Sequence, residues 1–390
     1  MNRRKRAKIK EIMAKTDNPI PFTLRYLLIV FCFMFFALST LLFALSSEAR
    51  VAGNCSNCHT MHNSQGGQPV ARGDAPWGGT GGSTDARPSL LVASCLGCHS
   101  SVTSESIKEF DGNKIPIVFN TTGYPTNPLA GGNFFSVMTD DTKGHNIFTQ
   151  DTHLSVAPGD PGLSGTCGNN TNCHQNLYAV STVAGLEGKQ GCEKCHLDPK
   201  HHANDHDSTG GLVTSAEQGW YRFLSGHSTG VDSGVEGYED GDWQKTVSSD
   251  DHNEYLGSQI SGGYGFVMLG NTTTAYCTGC HGRFHINQGK ASPWLRHPSD
   301  AALPASGEYT NYTLYNPLVP VARSSLLSSP SPTVSSGDMV MCLSCHRAHA
   351  SPYFKMMRWD YKAWPGTGGD GCDPSAGKHG CCNVCHTSKN

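Results

Sequence analysis

Residues 55–62 read CSNCHTMH: Cys55, Cys58 and His59 form a CxxCH unit, and a second histidine, His62, stands three residues further on. The unit recurs at Cys95-Cys98-His99, Cys192-Cys195-His196, Cys277-Cys280-His281, Cys342-Cys345-His346 and Cys382-Cys385-His386, six copies in all. Chance at this composition would supply on the order of 0.04 copies. Two thiols two residues apart, with histidine directly after the second, are the attachment pattern of haem c. The thiols add to the two vinyl groups, and the histidine falls beneath the iron as its ligand. Paired CxxC units also build zinc ribbons, and exported chains form disulfides, but neither explains a histidine after every second cysteine.

The first cysteines of successive motifs are 40, 97, 85, 65 and 40 residues apart. That is too irregular for a solenoid of fixed period. The chain has 390 residues, 37% hydrophobic, with 45 Gly and 21 Pro, a composition suited to turns rather than a large aliphatic core. The expected fold is therefore mostly irregular and loop-rich, with short helical turns carrying the motifs. Its core would be built from covalently attached haems.

Residues 1–25 are basic, an uncharged apolar run follows from Tyr26 to Leu45, and Ser47 and Ala49 suit a small-residue cleavage site. Residues 1–49 read as a signal peptide or, since the run can span a bilayer, an N-terminal membrane anchor. In either case residues 50–390, the multihaem region, lie outside the cytoplasm. Residues 1–49 hold 8 basic and 3 acidic side chains, so the remainder carries 21 against 29, a net charge of −8. No basic patch remains, which excludes nucleic acid as a partner.

Nineteen histidines less six in motifs leave thirteen. Bis-histidine ligation needs one more per iron, implies lower potentials than Met/His ligation and leaves no open position for catalysis. The methionines available as alternatives are Met61, Met138, Met339, Met341, Met356 and Met357. His62, His285 and His349 closely follow motif histidines. A few residues of chain do not reach round a porphyrin to its other face, so each, as a ligand, serves a different iron.

A seventh site is open at Cys167, Cys173 and His174, a CxxxxxCH stretch that is either a bulged haem site or a disulfide. Nearby KHHANDH offers His201, His202 and His206, with His202 taken as the ligand. Cys372 and Cys381 read as a disulfide, with CxxxCH from Cys381 a formal alternative.

CHTMHNS after the first CxxC, KGHNI at Lys143–Ile147, LRHP ending at Pro298 and MCLSCHRAHAS at Met341–Ser351 resemble the filament-forming, six-haem outer-surface cytochromes of metal-reducing bacteria. The matching strings cover about a sixth of the exported chain. CGNNTNCH and KHHANDH depart from the family pattern, which leaves six or seven haems open. The resemblance implies a homopolymer in which His62 ligates the haem at Cys342/Cys345 of the next subunit. It also implies that His145, His285, His297 and His349 are distal ligands. The partners it implies are other copies of the chain and redox donors and acceptors, proteins or minerals, at the cell surface. No residue is assigned to catalysis. The alternatives are a monomeric periplasmic or membrane-anchored carrier and a multihaem reductase. A reductase needs an open iron beside acid–base groups; the acidic residues Asp198, Asp205 and Asp207 read as solvated loop charges.

Overall fold

In a computed structural model of the protein, the described residues are 95–110, 112–149, 177–182, 186–203, 210–226, 234–246, 248–258, 270–278, 281, 297, 299, 301–360 and 380–386, with scattered positions in 23–31 and 50–69. Among the sequence-predicted site residues, Cys58, His59, His62, Cys167, Cys173, His174, Cys280 and His285 lie outside them, as does Cys372. By its internal contacts the chain divides into Met1–Ser47 and Glu48–Asn390. In the first unit Thr23, Tyr26, Leu27, Val30 and Phe31 are helical and exposed. Among the described residues no helix is long and apolar enough to cross a membrane.

Glu48–Asn390 consists of short pieces. Two-residue strands β1 (Ser64–Gln65) and β2 (Gln68–Pro69) pair as a hairpin. Helix α1 (Leu96–His99) leads into β3 (Ser100–Ser101), which pairs in parallel with β6 (Phe119–Asn120) around the hairpin β4 (Ile107–Phe110) and β5 (Asn113–Pro116). Helix α2 (Phe135–Thr139) follows. Then come β7 (Gly210–Val213), β8 (Gly237–Asp240), β9 (Glu254–Leu256), α3 (Thr273–Thr278), β10 (Ala301–Ala302), β11 (Ala322–Arg323), β12 (Met339–Val340) and α4 (Cys342–Cys345). This is the loop-rich, short-helix class expected from the sequence.

The sequence pattern does not foretell the six-stranded sheet, ordered β10-β12-β11-β9-β8-β7. Its strands are two to four residues long, too short for period-2 alternation to stand out. All neighbours are antiparallel except β9 and β11. A parallel pair needs a long crossover; here it holds α3, the carrier of the fourth motif.

Register puts Tyr255 opposite Ala322 and Ala322 opposite Met339. These side chains share one face and pack with Tyr221, Val235 and Met341 against Ala275 and Tyr276 of α3 and Leu343 of α4. Gly237 lies in the same row because the Tyr221 ring covers it; a β-carbon there would stand 2.5 Å from that ring. Successive strand residues point to opposite faces. Val321 and Val340 accordingly join Tyr312, Tyr315 and Val334, a cluster that also takes in Val384 and Cys385 of the sixth motif. The sheet thus stands between the helices of the fourth and fifth motifs and the turn of the sixth.

Glu254 and Arg323 alternate with Tyr255 and Ala322 and carry a buried polar network. Arg323 Nε donates to Glu254 Oε2 at 2.9 Å and Nη1 to Asp338 Oδ2 at 2.6 Å. The Ser331 N–H donates to Glu254 at 2.8 Å. His252 lies 3.2 Å from Glu254 and stacks on Tyr315 with ring centres 3.6 Å apart. Buried charges persist when paired, as Glu254, Arg323 and Asp338 are.

Candidate functional site

Each described motif sits on one turn of helix. The amide of the motif histidine donates to the carbonyl of the first cysteine: His99 to Cys95 at 3.0 Å, His196 to Cys192 at 2.8 Å, His281 to Cys277 at 2.9 Å, His346 to Cys342 at 3.1 Å and His386 to Cys382 at 2.9 Å. One such turn brings both thiols and the imidazole to the same side of the backbone. Cys55, at the start of the first motif, is also in a helical turn. The described motif cysteines form no disulfides. Cys381 does, which removes it from the CxxxCH alternative; its bonded partner lies outside the described residues.

Four of the five described motif histidines face a histidine from outside the motifs. The ring centres are 6.2 Å apart for His99 and His201, 6.3 Å for His196 and His349, 6.2 Å for His281 and His145, and 6.1 Å for His386 and His297. Two imidazole nitrogens about 2 Å from a shared metal, with ring centres roughly 1 Å further back, stand about 6 Å apart centre to centre. The four separations agree with that span. Ordinary aromatic pairs scatter over about 4.5–7 Å. Among the described residues no histidine ring faces His346 at this distance.

Ring tautomers point the same way. Nδ1 of His99 lies 2.8 Å from the Pro116 carbonyl, that of His145 2.8 Å from Ala348 O, and that of His346 3.0 Å from Lys355 O. A carbonyl only accepts, so Nδ1 carries the hydrogen and the Nε2 lone pair is left to bind metal. For His386 the acceptor is a carboxylate, Glu308 Oε1 at 3.2 Å. Desolvation lowers the pKa of His99 and His196 below the ordinary histidine value. For His349, desolvation and then the nearby His196 and His145 bring it down to about 3. The rings are held neutral, the form that ligates.

His145 and His349 are fixed by one another's segments. The His145 amide donates to His349 O at 2.9 Å, and the His349 amide to Gly131 O at 2.8 Å. Arg347 Nη1 donates to Leu129 O at 2.8 Å. Ala350 bridges to both Gly132 and Gly144. A β-carbon on Gly144 would lie 2.4 Å from that of Ala350, so the close approach requires glycine.

The attachment turns also meet. The side chains of Cys95 and Cys192 are neighbours, joining the second motif to the third. Tyr276 of α3 donates its hydroxyl to Cys195 O, joining the third to the fourth. Cys345 packs with Cys381, Cys382 and Cys385, joining the fifth to the sixth. Beside the fifth, Arg358 donates from Nε to Leu343 O at 2.6 Å and from its amide to Cys345 O at 2.8 Å. Its Nη2 is buried with no acceptor. Haem c carries carboxylates, which suits a guanidinium left with an unused donor.

His201, Glu308 and Arg358 were not among the residues selected from sequence. His201 stands in the KHHANDH run, but spacing does not choose between it and His202, and both are exposed. Glu308 and Arg358 carry no motif. Among the described residues no group of three or more His, Cys, Asp or Glu is placed to hold a metal ion, as a zinc ribbon would require.

The chain is 25% identical to the C-type cytochrome OmcS of Geobacter sulfurreducens in an alignment of 358 residues that covers 78% of each. Its sequence is similar to that of OmcS along most of its length. No protein-family model matches it. Two solved structures, of the outer-membrane cytochrome S filament and of OmcS nanowires from Geobacter sulfurreducens, each cover 87% of this chain and all of their own. Both give a TM-score of 0.43, at 18% and 19% identity.

Proposed function

We propose that the chain is an extracellular multihaem electron carrier with bis-histidine ligation that polymerises through His62. The observation that carries the reading is the set of four motif-to-distal histidine pairs at 6.1–6.3 Å. Haem c supplies a one-electron centre at each site. The chain's part is positional. Its cysteine turns fix the cofactor edge, and Nδ1–H bonds to carbonyls orient His99, His145 and His346. Desolvation favours the neutral ring at His99, His196 and His349, and contacts between motifs keep successive sites close.

In this reading His201 serves the second motif, His349 the third, His145 the fourth and His297 the sixth. His346 has no facing ring among the described residues, and that suits a ligand donated by another subunit. His62 fills the role, and the filament named for the OmcS structures is the assembly it would build. His285 is a further distal ligand in this reading, and His202 is the one offered to a seventh site. Six haems follow from the motifs; Cys167, Cys173 and His174 are either a seventh site or a disulfide with His174 idle.

The test is a His62→Ala chain secreted at full length. Monomers with every haem attached, and one centre that now binds added imidazole, are the expected result. Filaments of normal length would overturn the role of His62. An intact mass with fewer than six haem adducts would overturn the haem reading.

A further inference from the structure

The fifth and sixth attachment turns touch, yet their surroundings carry opposite charge. Arg358 lies against the fifth, bound to Leu343 O and Cys345 O. It is 5% exposed and makes no salt bridge among the described residues. At the sixth, Glu308 accepts from His386 Nδ1, and its side chain is 9% exposed. His99, His145 and His346 use neutral carbonyls for that bond.

We propose that Arg358 and Glu308 build a fixed potential step between these two adjacent sites, with the fifth held above the sixth. The proposal rests on the haem reading of both motifs. A buried cation favours the reduced, less positive state of a nearby iron and raises its potential. A carboxylate on the far nitrogen of a ligating imidazole makes that ligand more basic, favours the oxidised iron and lowers the potential. Both act at short range in a desolvated setting, where charge is screened least. One electron leaves the sixth site, which is oxidised, and enters the fifth, which is reduced; no bond or proton changes hands. Arg358 and Glu308 are positioning residues, acting through the site and through His386.

The experiment compares the full-length secreted protein with Glu308→Gln, Arg358→Gln and Arg358→Lys. Intact mass is read first, so that a missing haem is seen as a failure of the haem reading and not of the step. Redox titrations followed by visible absorbance and by the low-spin ferric EPR signals come next. Glu308→Gln raises one midpoint and leaves the others in place. Arg358→Gln lowers a different one, and Arg358→Lys, which keeps the charge, restores it. With all haems present, unmoved midpoints or shifts of opposite sign overturn the step. If Arg358→Gln does not accumulate, Glu308→Gln decides alone, and no upward shift overturns the proposal.

Discussion

The rings of His196 and His349 stand 6.3 Å apart, one in the third motif and the other just past the fifth. Their pairing makes two distant stretches of chain answer to a single site. Nδ1 of His349 is shielded and has no hydrogen-bond partner, so this ring is held by its backbone and by packing against Phe134, 4.7 Å away.

Replacing His349 with Met exchanges a nitrogen for a thioether at that site. One midpoint rises, since Met/His ligation lies above bis-His, and the other centres stay where they were. Redox titration with EPR detection separates the two cases; no change at any centre would release His349 from the ligand set.

Gly144→Ala forces a β-carbon to within 2.5 Å of His349 O and 2.4 Å of the Ala350 β-carbon. The overpacking costs about 1–3 kcal/mol. It also displaces His145 and His349 together, because their segments hydrogen-bond to each other. Thermal melting reads the first effect. Binding of added imidazole at two newly accessible irons reads the second.

Glu254 gives the fold an acid-sensitive element. Burial alone would raise its pKa, but His252, Arg323 and the Ser331 N–H together take it below the ordinary carboxylate value. A depressed folded pKa stabilises the fold above the ordinary value, and that contribution is lost as pH falls through the lower one. Glu254→Gln, which leaves Arg323 short of a counter-charge, costs about 3–5 kcal/mol at neutral pH. It also flattens the acid limb of stability against pH. Denaturant titrations between pH 3 and pH 7, spanning the ordinary carboxylate range, would show an unchanged limb if the network were incidental.

Cys381→Ser removes a disulfide next to the sixth attachment turn. The expected loss is about 2–5 kcal/mol, with one new thiol that reacts with maleimide. Peptide mapping of the labelled thiol names the partner: Cys372 is the expected site.

Much of the site was legible in the sequence because covalent attachment needs a fixed local spacing. The six CxxCH units announce themselves, and His145, His297 and His349 stand out through the strings around them. That His201 is the ring facing His99 depends on local backbone geometry after Pro199, which no spacing rule resolves. Pairing partners were hidden for the same reason: His281 meets His145 through folding, not proximity in the chain. The sheet was hidden because residues such as Ala322 and Met339 pair in strands of only two residues. Glu308 and Arg358 are ordinary charges until the fold sets one against His386 and the other against Cys345.

Arg50 ties the beginning of the Glu48–Asn390 unit to residues made much later. Its guanidinium reaches Glu239 at 2.8 Å and Gln218 O at 3.0 Å and lies over the Phe223 ring, which itself lies against His201. Together with the His196–His349 pairing, this sets an order on biogenesis. A chain threaded across a membrane from its N-terminus cannot dock Arg50 until Glu239 has emerged. It cannot enclose the third site until His349 follows. On the proposed reading of an exported haem protein, the thiols of the early motifs wait in an open chain, and closure comes only after most of the chain has crossed.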